Sequence, residues 1–220
     1  RDSINDHWIN ATIPEGFFEE MGKLDYFNNP LLFEGREGAR MASQMFQFFL
    51  SYTVARFDVS LVTLLGVHQG LGHNAFLFGG SKEQVAHYIP KLQSHELRTC
   101  FALTEPEHGS DVAGGLETTA KREGDKWIIN GAKKWIGGAN VSDVIPLFAV
   151  DVETGKPKGF IIRPEQEGVD IDIIENKIAL RIVPNANIHL KNVVVEEADR
   201  LQNINSFKDI AKILYSTRAG

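Results

Sequence analysis

The chain has 220 residues, 43% hydrophobic and 24% charged, an ordinary globular balance in which folding can bury roughly 70% of the unfolded surface. Its formal charge of -6, from 29 acidic against 23 basic residues, leaves no basic field or Lys/Arg-rich run for a nucleic-acid backbone. The single cysteine, Cys100, excludes an internal disulfide framework and a cysteine metal cluster, and it reads as a small buried apolar side chain.

The sequence begins with Arg1 rather than Met, and no secretory apolar region follows. The N-terminus is therefore expected to be trimmed or to lie upstream, and targeting signals are not readable. The longest apolar run, Leu61 to Val67, is far shorter than the about 20 residues needed to span a bilayer, so a soluble protein is expected.

From Phe33 to Leu97 the apolar residues fall at helical spacing, with Met41, Met45, Phe48, Phe49 and Tyr52 as one stripe. Ser81-Lys82-Glu83-Gln84 has the form of a capping box, predicting a helix toward Leu92 with Pro90 near its end. After Thr99 the texture changes to short β-rich runs separated by turn residues: Trp127 to Ile129 before Asn130-Gly131, and Val144 to Val150 before Thr154 to Pro157. Phe160 to Ile162, Val169 to Ile173 and Asn187 to Val195 continue the pattern, giving roughly seven or eight strands spaced as in a barrel or sandwich.

Phe207, Ile210, Ala211 and Leu214 return to helical spacing, with Asn205 or Ser206 placed to cap the helix. Its apolar face has no visible partner, so a further domain is expected. The fold class is α+β: a helical domain over 1–98, a β-barrel or sandwich domain over 99–202, and the start of another helical domain over 203–220.

The stretch Ala102 to Gly114 carries the most chemistry. Pro106 ends ladder pairing, Gly109 admits close approach of a ligand, and Thr104 and Ser110 offer uncharged donors to an anion. Asp111 reads as a turn-former. On its residues alone the stretch is either a polar loop or a cofactor loop.

This stretch resembles the first sequence motif of the acyl-CoA dehydrogenase family, and Lys134-Trp135-Ile136-Gly137-Gly138 falls where that family has its second flavin-contacting segment. The likeness runs through Gly131, Gly159-Phe160, Asn176 to Arg181 and Val193 to Leu201, and is strongest to the branch of glutaryl-CoA dehydrogenases and plant peroxisomal short-chain acyl-CoA oxidases. It implies FAD, with Phe101, Leu103 and Thr104 along the flavin ring, Gly109 in the turn, and Ser110 near the pyrophosphate or the CoA. Trp135 and Ile136 would pack on the ring's other face, where a large flat indole suits an aromatic system.

Two residues depart from the family pattern. His108 stands where the motif usually has a small residue, so the turn must accommodate an imidazole. Gly137 stands where most dehydrogenases have Thr or Ser, as it does in the related oxidases, and the lost hydroxyl alters the flavin edge that meets the electron acceptor. The glutaryl branch places an arginine and a serine where this chain has Val62 and Gly66, so a second carboxylate would be buried unpaired at a cost of several kcal/mol. A monocarboxylic acyl-CoA is the expected substrate.

The family's base is a glutamate that removes the α-proton while the β-hydrogen leaves as hydride. Its alternative early position corresponds here to Thr217, beside a candidate substrate contact, Arg218, and threonine cannot act as that base. The chain is therefore expected to hold no catalytic base and no metal. Electrons would pass to an electron-transfer flavoprotein or, in an oxidase, to oxygen; a flavin monooxygenase and a non-catalytic binding module are the other readings. The family's habit implies a homotetramer or homodimer, cytoplasmic in a bacterium and in the mitochondrial matrix or peroxisome in a eukaryote. Gly66, Gly70 and Gly72 with His68 and His73 sit in a helical stretch with no preceding strand, which favours close packing over a phosphate loop. No Gly-x-Ser-x-Gly elbow exists.

Overall fold

A computed structural model describes residues 2–24, 44–109, 111 and 114–218, the side chains of 2, 3, 44 and 218 excepted. The N-terminal half is helical: α1 (Asp2–Asn10), α2 (Phe17–Lys23), α3 (Gln44–Ala55), α4 (Val59–Leu65), a π-helical stretch Gly66–Gly72, α5 (His73–Gly79) and α6 (Lys82–Gln93). The Asp58 carboxylate starts α4 by accepting the Ser60 N–H at 2.6 Å. The expected capping box starts α6: the Ser81 hydroxyl accepts the Gln84 N–H, and the Gln84 side chain accepts the Ser81 N–H.

Helix α3 carries the expected stripe on its outer side. Met45, Phe48, Phe49 and Tyr52 turn outward, each more than half exposed, while Phe46, Leu50 and Val54 pack on Met21 and Leu65. The helix carries apolar residues on both faces, so its period could not say which face is inside. Met41 lies outside the described residues.

The second half is one mixed sheet of β1 (Thr119–Glu123), β2 (Lys126–Gly137), β3 (Ile145–Asp151), β4 (Pro157–Ile162), β5 (Val169–Ile173), β6 (Asn185–Glu196) and β7 (Arg200–Leu201), ordered β5-β6-β2-β1-β3-β4-β7. Only the β1–β3 pair is parallel. Trp127 of β2 meets Phe160 of β4 with ring centroids 5.3 Å apart, although β1 and β3 lie between them. Three strand spacings in a flat sheet would be about 14 Å, so the sheet curls upon its own core.

Asn130-Gly131 is not a turn, because β2 runs through it. Gly131 adopts φ +147°, and a Cβ there would stand 2.7 Å from the Thr118 Cα. The register with β6 shifts at this point, where Asn130 opposes both Lys191 and Asn192, so the glycine sits beside a bulge of β6 and against a closely approaching segment.

The sheet's other face carries Phe148 and Ile161 toward Ala75 and Phe76 of α5 and toward α7 (Phe207–Arg218). Ile210 and Ile213 of α7 are fully buried there, and Asn74 of α5 donates to the Ser216 hydroxyl at 3.0 Å. The apolar face of α7 therefore does find a cover within this chain, namely α5. Local spacing could show that face but not its partner. The helical and β halves meet closely elsewhere too: a Cβ at Gly72 would lie 2.5 Å from a Thr99 methyl and 2.7 Å from the Cys100 carbonyl.

Candidate functional site

The ribbon beside β3 is broken in two. Thr99 and Ala102 bridge in parallel to Val144 and Leu147, and β1 resumes the parallel pairing at Thr119 and Val150. Residues 99–104 and β1 thus lie end to end between β2 and β3, and the loop carrying Pro106 and Gly109 leaves the sheet through the gap.

On the far side of the gap β2 itself bulges. Lys133 pairs with Ile188 and Ile136 with Ala186, so Lys134 and Trp135 together oppose Asn187. The Lys134 N–H, directed away from β6, donates to the Thr104 carbonyl, 2.9 Å away. Trp135 takes φ +62° and is 53% exposed. A bulky residue in this conformation costs on the order of 1–3 kcal/mol and is held by its surroundings; the Asn185 amide helps by donating to the Trp135 carbonyl. An exposed indole and the half-buried Thr104 therefore flank one mouth.

An ion pair closes the break behind that mouth. The Lys133 ammonium lies 2.6 Å from the Glu105 carboxylate, with side chains 0% and 2% exposed. Glu105 also accepts the N–H groups of Glu117 at 2.6 Å and Thr118 at 3.0 Å, and Lys133 donates to the Leu103 carbonyl. Burial opposes the Glu105 charge, yet Lys133 and these donors hold its carboxyl below the ordinary value. Burial pushes the Lys133 ammonium down to about 8 against the pull of Glu105. The paired carboxylate presents no net negative charge to an anion at the mouth.

The expected site residues divide by depth. Thr104, Gly109 and Trp135 reach the surface, and nothing stands within 4 Å of a Cβ placed on Gly109. Phe101, Leu103 and Ile136 are buried beneath, with Phe101 against Phe148 at 5.0 Å between centroids. Gly137 is buried near Val67, Val183 and Asn185, so the π-helical stretch walls this end of the site. Ser110 and the Arg218 side chain lie outside the described residues. His108 meets Glu117 at 3.2 Å, and its ring fills the space a Cβ on Gly115 would need.

Reasoning from sequence missed the roles of Glu105 and Lys133. A signal existed: Lys133 shares the buried phase of β2 with Trp127 and Ile129, and a lysine in that phase demands a buried anion. Cys100 is fully buried, and burial pushes its thiol up to about 12, so it is a neutral apolar filler. Among the described residues no cluster of three His, Cys, Asp or Glu could hold a metal ion, and no helix is long and apolar enough to cross a membrane.

Residues 2–96 match the N-terminal domain of acyl-CoA dehydrogenases, and residues 100–193 match the middle domain. An acyl-CoA dehydrogenase of Bacillus subtilis is 31% identical over 192 residues, covering 86% of this chain and 50% of the relative. A 3-(aryl)acrylate reductase of Clostridium sporogenes is 41% identical over 133 residues, covering 59% and 35%. The solved glutaryl-CoA dehydrogenase of Mycobacterium smegmatis in complex with FADH2 superposes with a TM-score of 0.87 at 26% identity, over 99% of this chain and 55% of that one. The chain thus spans about half the length, or less, of these relatives.

Proposed function

The chain belongs to the acyl-CoA dehydrogenase family, and from that premise we propose that it carries the flavin site of an enzyme that dehydrogenates a monocarboxylic acyl-CoA to the 2-enoyl-CoA. The observation that carries the reading is the Lys134 to Thr104 hydrogen bond, which sets an exposed indole beside a loop whose buried carboxylate, Glu105, is neutralised by Lys133. FAD fits the residues present: a flat aromatic face at Trp135, a half-buried Thr104 hydroxyl, and open backbone at Gly109. Phe101, Leu103, Thr104, Gly109, Ser110, Trp135, Ile136 and Gly137 would hold it. Ser110 and Arg218 are the proposed contacts to substrate.

FAD, when bound, supplies the hydride acceptor. The chain's own residues orient the ring and exclude water: Trp135 through its strained bulge, Phe101 and Leu103 as the floor, and Val67 and Val183 beside Gly137. The proposed base lies outside residues 1–220. Thr217 cannot replace it, since a hydroxyl is no general base of the required strength and this one donates to the Leu214 carbonyl. Val62 is uncharged and Gly66 has open space at its Cβ, which supports a substrate tail without a second carboxylate. The acceptor is proposed to be an electron-transfer flavoprotein.

The test is anaerobic bleaching of the flavin in the full-length gene product by butyryl-CoA and by glutaryl-CoA. Butyryl-CoA is expected to bleach it faster; a preference for glutaryl-CoA overturns the substrate, and no flavin at all overturns the function. Stoichiometric hydrogen peroxide in air would replace the dehydrogenase by an oxidase. The 41% identity to a 3-(aryl)acrylate reductase favours one second reading, the reverse reaction on an arylacrylic substrate. Faster reoxidation of the reduced flavin by an arylacrylate or its CoA thioester than by oxygen would select it.

A further inference from the structure

Three backbone groups, the N–H groups of Glu117 and Thr118 and the carbonyl of Leu103, converge on the Glu105 and Lys133 pair. Glu105 directly follows Thr104, and Lys133 directly precedes Lys134 and Trp135. Through Glu117 and Thr118 the same carboxylate holds the returning end of the loop, and through Leu103 the ammonium holds its departing end. The broken ribbon would otherwise leave the N–H groups of Glu117 and Thr118 and the carbonyl of Leu103 orphaned inside the protein.

Closing a gap with buried charge is costly, because both ions lose their water. Apolar side chains would cover the break as well, but they could not accept two amides and an ammonium from fixed directions. Charge-assisted hydrogen bonds are short and directional, so this pair specifies where the two segments stand as well as holding them together. Buried ion pairs are best attested in setting such registry.

We propose that Glu105 and Lys133 are positioning residues for the flavin: their buried ion pair sets the separation between the Thr104 strand end and the Trp135 bulge, and with it the width of the ring site. The proposal rests on the flavin reading above. Neither side chain touches the ring; both act through the backbone to which Thr104 and Trp135 are attached.

The experiment compares Glu105→Gln and Lys133→Met with Leu92→Ala in the full-length gene product. Leu92, buried in α6 in the same core cluster as Phe101 and Leu103, reports the effect of lost core packing with the ion pair left in place. FAD affinity is measured by titration of the apoprotein at a temperature where all variants are folded, together with the visible spectrum of the bound flavin. Both pair variants are expected to raise the FAD Kd at least ten-fold over Leu92→Ala and to move the flavin band toward that of free FAD. Variants that bind FAD with the affinity and spectrum of Leu92→Ala overturn the positioning role and leave the flavin reading standing. Wild-type protein that binds no FAD overturns both. Should Glu105→Gln not fold, Lys133→Met decides alone, since it leaves the Glu117 and Thr118 contacts of Glu105 in place.

Discussion

The Lys134 N–H donates to the Thr104 carbonyl at 2.9 Å where β2 bulges between Lys133 and Ile136. A regular strand would leave that N–H on the same side but turn the Trp135 side chain to the buried face that Lys133 occupies. The bond therefore couples the strained backbone of Trp135 to the loop that leaves the sheet after Thr104. Strain of this kind persists where a site uses it.

Trp135→Gly separates the strain from the use. Glycine accepts φ +62° without penalty, so the unliganded protein is expected to gain about 1 kcal/mol, less the small loss from a more flexible unfolded chain. FAD binding should weaken roughly ten-fold through loss of the aromatic contact. Thermal unfolding and flavin titration measure the two effects; equal or tighter FAD binding by the variant would remove Trp135 from the site.

Gly131 is expected to tolerate no side chain. At φ +147° an added methyl meets Thr118 atoms at 2.6 to 2.8 Å, and the same Thr118 backbone is tied to Glu105. Gly131→Ala should cost at least about 2 kcal/mol, combining the backbone penalty with overpacking. Urea denaturation checks this, and a loss below 0.5 kcal/mol would contradict it.

The buried imidazoles predict an acid-sensitive fold. His68 accepts the Thr99 N–H at Nδ1 and donates from Nε2 to the Leu92 carbonyl, so both ring nitrogens are engaged in the neutral form. His95 stacks on it at 4.6 Å between centroids, and Phe18 packs on both. Burial, reinforced by His95, pushes His68 down to about 3, and burial pushes His95 down to about 4. Their unfolded values lie near 6.5, so above that pH neither ring contributes a slope. As pH falls through 6.5 the unfolded chain binds protons that the folded chain refuses, and stability falls by up to about 1.4 kcal/mol per pH unit for each ring. Burial pushes His73 down as well, so three rings share the decline; unfolding free energies from pH 7.5 to 5, above most carboxylate titration, should show it, and His95→Gln should reduce its slope by about a third.

Gly137→Ser tests the acceptor edge. A Cβ there stands 3.3 Å from a Val183 methyl and 3.5 Å from Val67 and Asn185, so the residue fits after shifts of a few tenths of an ångström, at a cost of about 1 kcal/mol. The added bulk and hydroxyl are expected to slow reoxidation of the reduced flavin by oxygen several-fold in stopped-flow measurements. An unchanged rate would mean that this edge does not control oxygen access.

The capping box at Ser81, the β5 strand from Val169 to Ile173 and the change from helix to strand after Thr99 were all legible in the sequence. Each depends on residues a few positions apart, whose propensity, periodicity or side-chain reach acts locally. The family motif around Thr104 and Trp135 was legible for the same reason: its residue types and spacing survive in the linear order. The outward face of α3, the strand passing through Asn130-Gly131 and the cover α5 gives α7 were not, because the inner face of a helix apolar on two sides, a glycine inside a strand and a helix partner are decided by what packs against them. The same holds for Glu105 and Lys133, 28 positions apart in sequence. Only the folded sheet takes both out of water, and an ion pair acquires its geometric authority from that dehydration.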